Sequence, residues 1–483
     1  MTEFKMTRLI FAAPALLLLA FGPDSIDSQQ SPVPNAPPVH LVAFADQSAM
    51  PAQQPEAQQP AVGQPGMQQT ATPTVPLGPK LTLADAERMA IGHNPNITVA
   101  RLLALAQAQV TREARSSELP TAIGSLTAVG SHENSRITAG VLNNPSIFNR
   151  AAGGLTVSQL ITDFGHTHNL VLSAQSNAKA QLENERATEQ DITLTVDQAF
   201  YQALTSQTVL KVAEQTVAER QTTLDQITAL ASAKLRSDLD RSFADVQTSQ
   251  AKLMLLDAQS NEQNAMASLN DVLGSEQNQQ FDLVDETPAN PEPAPQSADA
   301  LLQSAFAARP DLAALNDNYT AARQFSTAER DLWMPTVSAL AAVGGTPVRA
   351  DQILSNWYGA VGANINIPVF NGFLFNARAQ EAKLRANAAG EQVRNLRDNI
   401  ARDVRTAVLN AQNAYQKISV TQGLLNQANL SLDLANARYK IGLSGIVELT
   451  QAQLSQTEAQ IAFTSARYAY QTTLAELRFQ LGQ

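Results

Sequence analysis

Three side chains near position 165 come closest to a constellation that could do chemistry. Asp163, His166 and His168 offer a carboxylate and two imidazoles, a donor set suited to a divalent metal. Their spacing matches no zinc signature, and the residues 208 positions later, Asn371, Leu374 and Asn376, do not repeat them. His93 and His132 fall in separate segments without partners. No glycine-rich phosphate loop, nucleophile elbow or distinct carboxylate pair stands out. There is no cysteine, which excludes disulfides, thiolate metal sites, a cysteine nucleophile and acylation at a lipoprotein cysteine. The expectation is a protein with no catalytic residue, no metal site and no cofactor. A net charge of −11 with no basic stretch argues against nucleic acid as a partner.

The elements that would hold any site are long helices. Val404, Ala411, Ile418, Leu425, Leu432 and Tyr439 recur every seven residues, and Ile400, Ala407, Ala414, Thr421, Ala428 and Ala435 form a companion row. This is the a/d seam of a coiled coil. The seam recurs without a gap 208 residues earlier. Val196, Ala203, Leu210, Val217, Leu224 and Ala231 are flanked there by Ile192, Ala199, Ser206, Ala213, Arg220 and Ile227. The chain therefore reads as two internal repeats, 81–274 and 298–483, joined by a proline-rich linker at 275–297. The long helices are expected over about 166–233 and 374–438, each on the order of 100 Å. Short tips follow, and return helices run to about 273 and 481.

Ahead of the repeats, residues 1–27 read as a secretory signal. Lys5 and Arg8 precede an apolar run from Leu9 to Phe21. Residues 28–80, rich in Pro, Gln, Ala and Ser, read as a flexible tether. Thr82 and Asp85 form a capping signal for the first helix, which breaks near Asn94-Pro95; Pro310 matches Pro95 in the second half.

Between the short and long helices of each half lies a strand hairpin, about 120–162 and 335–369, with loops near 131–150 and 346–356. Gly359, Val361, Ala363, Ile365 and Ile367 alternate with Ala360, Gly362, Asn364 and Asn366. Strands of about ten residues that alternate apolar with small or polar suit an outer-membrane barrel wall. Trp357 and Tyr358 at one end, and Trp333, Phe370, Phe373 and Phe375 at the other, suggest interfacial girdles, with Phe148 and Phe164 flanking the first hairpin. Four strands cannot close, and open edges are not tolerated in lipid. A homotrimer with twelve strands is the expected solution.

Tyr439-Lys440-Ile441-Gly442-Leu443, followed by Ile446-Val447-Glu448-Leu449-Thr450-Gln451-Ala452-Gln453, resembles the outer-membrane efflux protein family, the TolC-like trimeric exit ducts. The junctions Gln159–Gly165 and Ile367–Gly372 also resemble that family's strand-to-helix turns. The resemblance covers about 81–483. It implies a membrane α+β fold in which a twelve-stranded β-barrel is continuous with a coiled-coil periplasmic tube. It implies docking to a periplasmic adaptor (membrane fusion) protein and to an inner-membrane efflux pump or ABC exporter. It places Glu448 and Gln451 at the inner aperture, with Asp240 the first-half counterpart of Glu448. A ring of Glu448 would attract cations, and Gln451 would weaken that field. The adaptor-docking tips are Tyr439, Lys440, Ile441, Gly442, Leu443 and Ser444 in the second half and Lys234, Leu235, Arg236 and Ser237 in the first. Because the first tip lacks the glycine at Gly442, two non-equivalent adaptor grooves are expected. The implied function is passive efflux of small compounds, gated at the tips. The same architecture would serve type I protein secretion, and a soluble periplasmic scaffold is the reading from a different class.

Overall fold

Thr82 caps the first helix as the sequence predicts. Its hydroxyl accepts from Asp85 N–H at 3.2 Å and donates to the Asp85 carboxylate at 2.8 Å, opening α1 (Leu83–His93). Asn94 closes α1 and caps α2 (Pro95–Ser116), with Pro95 at the first helical position where its missing N–H costs nothing. The computed structural model describes residues 78–130, 136–139, 142–146, 150–275, 279–288, 290–348 and 356–483, all within one compact unit, 74–483. The expected signal, nearly all of the tether, His132 and Phe148 lie outside them.

The strands are β1 (Lys80–Leu81), β2 (Thr121–Val129), β3 (Arg136–Ala139), β4 (Leu142–Ser146), β5 (Arg150–Thr162), β6 (Asp282–Leu283), β7 (Thr336–Val348) and β8 (Trp357–Asn366). The two expected hairpins are β2–β5 and β7–β8. Antiparallel β5–β7 pairing, which the sequence reading did not anticipate, fuses them into one sheet of order β2-β5-β7-β8. The expected loop at 131–150 carries a small pair, β3–β4. Lys80, assigned to the tether, instead begins β1, which runs parallel to β6 in the linker.

Strand alternation sorts the sheet into two faces. Register puts Leu126, Leu155, Val343, Val361 and Ile365 on one face, and Ser125, Thr156, Ser338, Asn364 and Asn366 on the other. Val361 is 90% exposed, so the apolar face is not covered by this chain. Ile123, Val129, Leu160 and Leu340 are the large apolar exceptions on the polar face.

From the sheet run α3 (His166–Ser232) and α7 (Leu374–Lys440), each of 67 residues, returning as α4 (Asp238–Val272) and α8 (Ile446–Gln480), each of 35. α5 (Asp299–Ala308) and α6 (Pro310–Asp331) precede β7. Every seam residue of both rows is buried or half-buried. α3 packs on α2 and α6 nearer the sheet and on α4 and α8 nearer the tips, while α7 packs on α6 and then α8. The largest core joins Ala86 and Ala90 of α1 to Val196, Phe200, Leu204, Met266, Leu269 and Tyr468. At its edge Asp197 is buried with Oδ1 unpartnered. Burial, then the charge and hydrogen bonding of Glu87, push the Asp197 carboxyl up to about 7, and Arg478 opposes the shift.

Candidate functional site

The two tips share one turn. Two residues past the end of α3, Lys234 stands at φ +61°, and two past the end of α7, Gly442 stands at φ +75°, 208 positions later. In the first tip, Leu235 N–H donates to Leu230 O (2.9 Å) and Lys234 N–H to Ala231 O (2.9 Å). In the second, Leu443 N–H donates to Arg438 O (2.9 Å) and Gly442 N–H to Tyr439 O (3.1 Å). This is the Schellman pattern, and it consumes carbonyls the helix end would leave unpaired. The glycine missing from the first tip has therefore not changed its turn; a lysine adopts the left-handed conformation at a cost of about 1 kcal/mol. Gly445, just before α8, is extended at φ −85°. Leu235 and Leu443 project from matching positions, 70% and 69% exposed.

The helices leaving the tips start differently. Ser237 and Asp240 form a reciprocal capping box on α4: Ser237 Oγ accepts from Asp240 N–H at 3.2 Å, and Ser237 N–H donates to Asp240 Oδ2 at 3.3 Å. The Asp240 carboxylate is thus engaged by its own helix. α8 has no side-chain cap, and Glu448 in its first turn pairs with Arg438 Nε at 3.3 Å. Gln451 lies beside it, in a groove between α7 and α8 lined by Leu434, Arg438, Glu448 and Ser455.

The tips also touch each other. Arg236 donates from Nη2 to Tyr439 O at 3.1 Å and lies with Cζ 4.4 Å from the Tyr439 ring centroid. Tyr439 packs against a cluster of Ile227, Ala244, Ala435, Ile446, Leu449 and Ala452. Burial pushes its phenol up, Arg236 opposes, and Asp240 adds to the rise. Its hydroxyl and that of Ser444 are buried without hydrogen-bond partners. Lys440 and Ile441 are exposed on the outer side of the turn.

Above the tips is a polar layer the sequence reading passed over. Arg220 occupies a seam position where the second half has Ala428, and it is buried. Its Nη1 donates to Gln453 Oε1 of α8, Thr248 of α4 donates to its carbonyl at 3.3 Å, and Thr216 meets Thr457 at 3.5 Å. Burial pulls the Arg220 guanidinium down. A charged residue at an apolar heptad position was the available signal.

At the other end of the long helices, Asp163 accepts from Gly165 N–H (3.2 Å) and Thr167 N–H (2.7 Å), which satisfies the start of α3. His166 Nδ1 meets Ala328 O at 2.8 Å, and His168 lies 3.7 Å from Glu118. The three candidate ligands thus have separate partners. Trp333 stacks edge-on with Phe375, and Phe370 with Phe373, both at 5.8 Å. Trp357 lies over Gly359 on the apolar face, near Leu155, Val343 and Val361. Tyr358, grouped with Trp357 in the sequence reading, is on the opposite face, because neighbouring residues of a strand point to opposite sides.

The model of the outer membrane efflux protein family matches residues 88–275 and 301–483. Among individual proteins, the chain is 25% identical over 333 residues to outer membrane efflux protein BepC of Brucella suis biovar 1, covering 65% of this chain and 68% of BepC. It is 23% identical over 197 residues to outer membrane protein TolC of Salmonella enteritidis, covering 39% of this chain but only 40% of that relative's length. Cation efflux system protein CusC of Escherichia coli K12 is 24% identical over 344 residues, 68% of this chain and 72% of CusC. A solved CusC structure superposes with a TM-score of 0.72 at 20% identity, covering 89% of this chain and 99% of that one. The family model spans both halves of the chain, from the short helices through the sheet to the tips, and the chain belongs to the outer membrane efflux protein family.

Proposed function

We propose that the chain is one subunit of a trimeric outer-membrane exit duct, built by duplication of one half. The observation that carries this is the open four-stranded sheet. Its edges, β2 and β8, are unpaired by any described strand, and one face is apolar and exposed. Three copies would join β8 of one to β2 of the next, leaving no edge in lipid. The apolar face would meet acyl chains and the polar face would line the lumen.

The helices support the same closure. α4 exposes Leu239, Val246, Leu253 and Leu256, and α7 exposes Leu409, Val420, Leu424 and Leu434. In three copies these flanks would cover one another and continue the barrel as a periplasmic tube. The tips at Lys234–Ser237 and Tyr439–Ser444 would then dock a periplasmic adaptor that delivers solute from an inner-membrane pump. Identical turns with different side chains give two grooves for it. Glu448 and Gln451 would border the inner aperture; Asp240 would stand nearby, already engaged as a cap. The work of transport would be done by the pump, and the duct would conduct passively. Efflux is preferred to protein secretion because BepC and CusC are both named for efflux.

The test is extraction from outer-membrane fractions without boiling. A heat-labile species at three times the monomer mass, with discrete conductance in planar bilayers, is expected. A soluble monomer would overturn the reading in favour of a scaffold.

A further inference from the structure

Tyr358 begins its strand beside Trp357, yet its ring takes a different place. In the ladder it pairs with Gly344 of β7, which pairs in turn with Gly154 of β5. A Cβ built on Gly344 would stand 2.5 Å from Tyr358 Cζ, and one built on Gly154 would overlap the Tyr358 hydroxyl oxygen. The ring therefore lies across two neighbouring strands, on a floor that only glycine leaves open. Aromatic side chains cover strand glycines in this way and stiffen the sheet. Here the covering is one-sided: Tyr358 is 41% exposed.

The surroundings leave that open side accessible. The next residues on the same face are Ala342, Ala360 and Gly362, too small to shade the ring. The register puts one charged residue on this face, Arg150 at the start of β5, four residues along the strand from Gly154; no other described residue of the face is charged and no other is aromatic. The position is near the start of β8, at the sheet end away from the helices. A π-face held flat, in a chain of net charge −11, attracts flat cations by stacking and by its quadrupole.

We propose that Tyr358 is a lumenal stacking platform near the outer mouth, binding planar aromatic cations as they leave; this rests on the duct reading above. Three copies would supply three such platforms.

The test uses the full chain in planar bilayers, with ethidium or tetrapropylammonium added on the side away from the helices. Ethidium block should weaken at least about fivefold in Y358L, the fold-change equal to ~1 kcal/mol of lost stacking. It should persist in Y358F, and tetrapropylammonium block should be the same in all three channels. Absence of ethidium block in the unsubstituted channel overturns the platform, as does equal ethidium block in Y358L. A parallel change with tetrapropylammonium reduces Tyr358 to a purely structural role and also overturns it. If Y358L does not assemble, Y358C decides, since the chain has no other cysteine. A charged aqueous thiol reagent added from the same side should lower its current, and an inert, conducting Y358C overturns the proposal. An unsubstituted chain that forms no channel at all would instead sink the duct reading on which the platform depends.

Discussion

The guanidinium of Arg236 in the first tip stacks 4.4 Å from the ring centroid of Tyr439 in the second and donates to the Tyr439 carbonyl at 3.1 Å. One residue thus joins the two tips through both a side chain and a backbone group. Exposed cation–π contacts contribute ~0.5–1 kcal/mol and a charge-assisted hydrogen bond somewhat more. Arg236→Ala should therefore loosen the tips and raise the open probability several-fold in single-channel recordings. Arg236→Lys should fall between, because an ammonium cannot stack and bridge as the planar group does. Equal open probability in all three channels would show that the contact plays no part in gating.

Lys234 holds a left-handed conformation that Gly442 adopts freely. Lys234→Gly should stabilise the first tip by up to ~1 kcal/mol, and Gly442→Ala should destabilise the second by a similar amount. Amide hydrogen exchange over 226–240 and 434–448 reads both effects locally, where a global melt of a large channel would hide them.

Asp197 binds its proton more tightly in the folded state, with its carboxyl pushed up to about 7 from its ordinary value of 3.8. Between those values the folded state carries the extra proton, so this contribution to stability is present at low pH and is lost as pH rises through 7. The charged groups around it are Glu87 on α1 and Arg478 on α8, with Tyr201 on its own helix. Asp197→Asn should flatten the dependence. It should melt higher than the unsubstituted chain at pH 8 and close to it at pH 5. A parallel pH dependence in both proteins would remove the carboxyl as its source.

Arg220 and Gln453 form a buried polar contact in an otherwise apolar seam. Gln453→Leu alone should cost ~1.5–3 kcal/mol, since it strands a buried cation. Adding Arg220→Met should recover most of that loss, because a well-packed apolar pair often matches a buried polar one. Denaturation of the double variant and both single variants closes the cycle; simple additivity would mean that the two side chains do not interact.

Glu448, paired with Arg438 at 3.3 Å, is the carboxylate assigned to the aperture. Glu448→Ala should shift the reversal potential in a salt gradient toward lower cation preference. An unchanged potential would remove the ring.

The long helices were legible because a seven-residue period repeated over five heptads leaves few alternatives, and Val404, Ala411 and Val196 are indeed fully buried. The hairpins were legible from alternation. Joining them was not: β5 meets β7 across nearly two hundred residues, and nothing in either strand names its partner. β1 and β6 are two residues each, below any periodic signal. The opposite facing of Trp357 and Tyr358 was implicit in a period of two, but aromatic clustering obscured it. The tip residues were found through the motif at Tyr439–Leu443. Arg220 was seen only as a member of a row, and the lysine's left-handed turn had no residue-type signal at all.

The short helices meet end to end beside unbroken ones. A Cβ on Gly274, after α4, would press on His93 O and Asn94 N at the α1–α2 break, and one on Gly482, after α8, would press on Ala308 and Arg309 at the α5–α6 break. α3 and α7 run past both joints without interruption. Both joints lie against one stretch of α3, where Gln190 donates to Gly482 O at 2.9 Å and Ile192 and Val196 pack with Leu273. The arrangement is that of planks butted at one level and backed by unbroken boards. Torque applied at a tip is therefore carried past each butt joint by a continuous neighbour. The wall can twist as one piece while each joint gives only slightly.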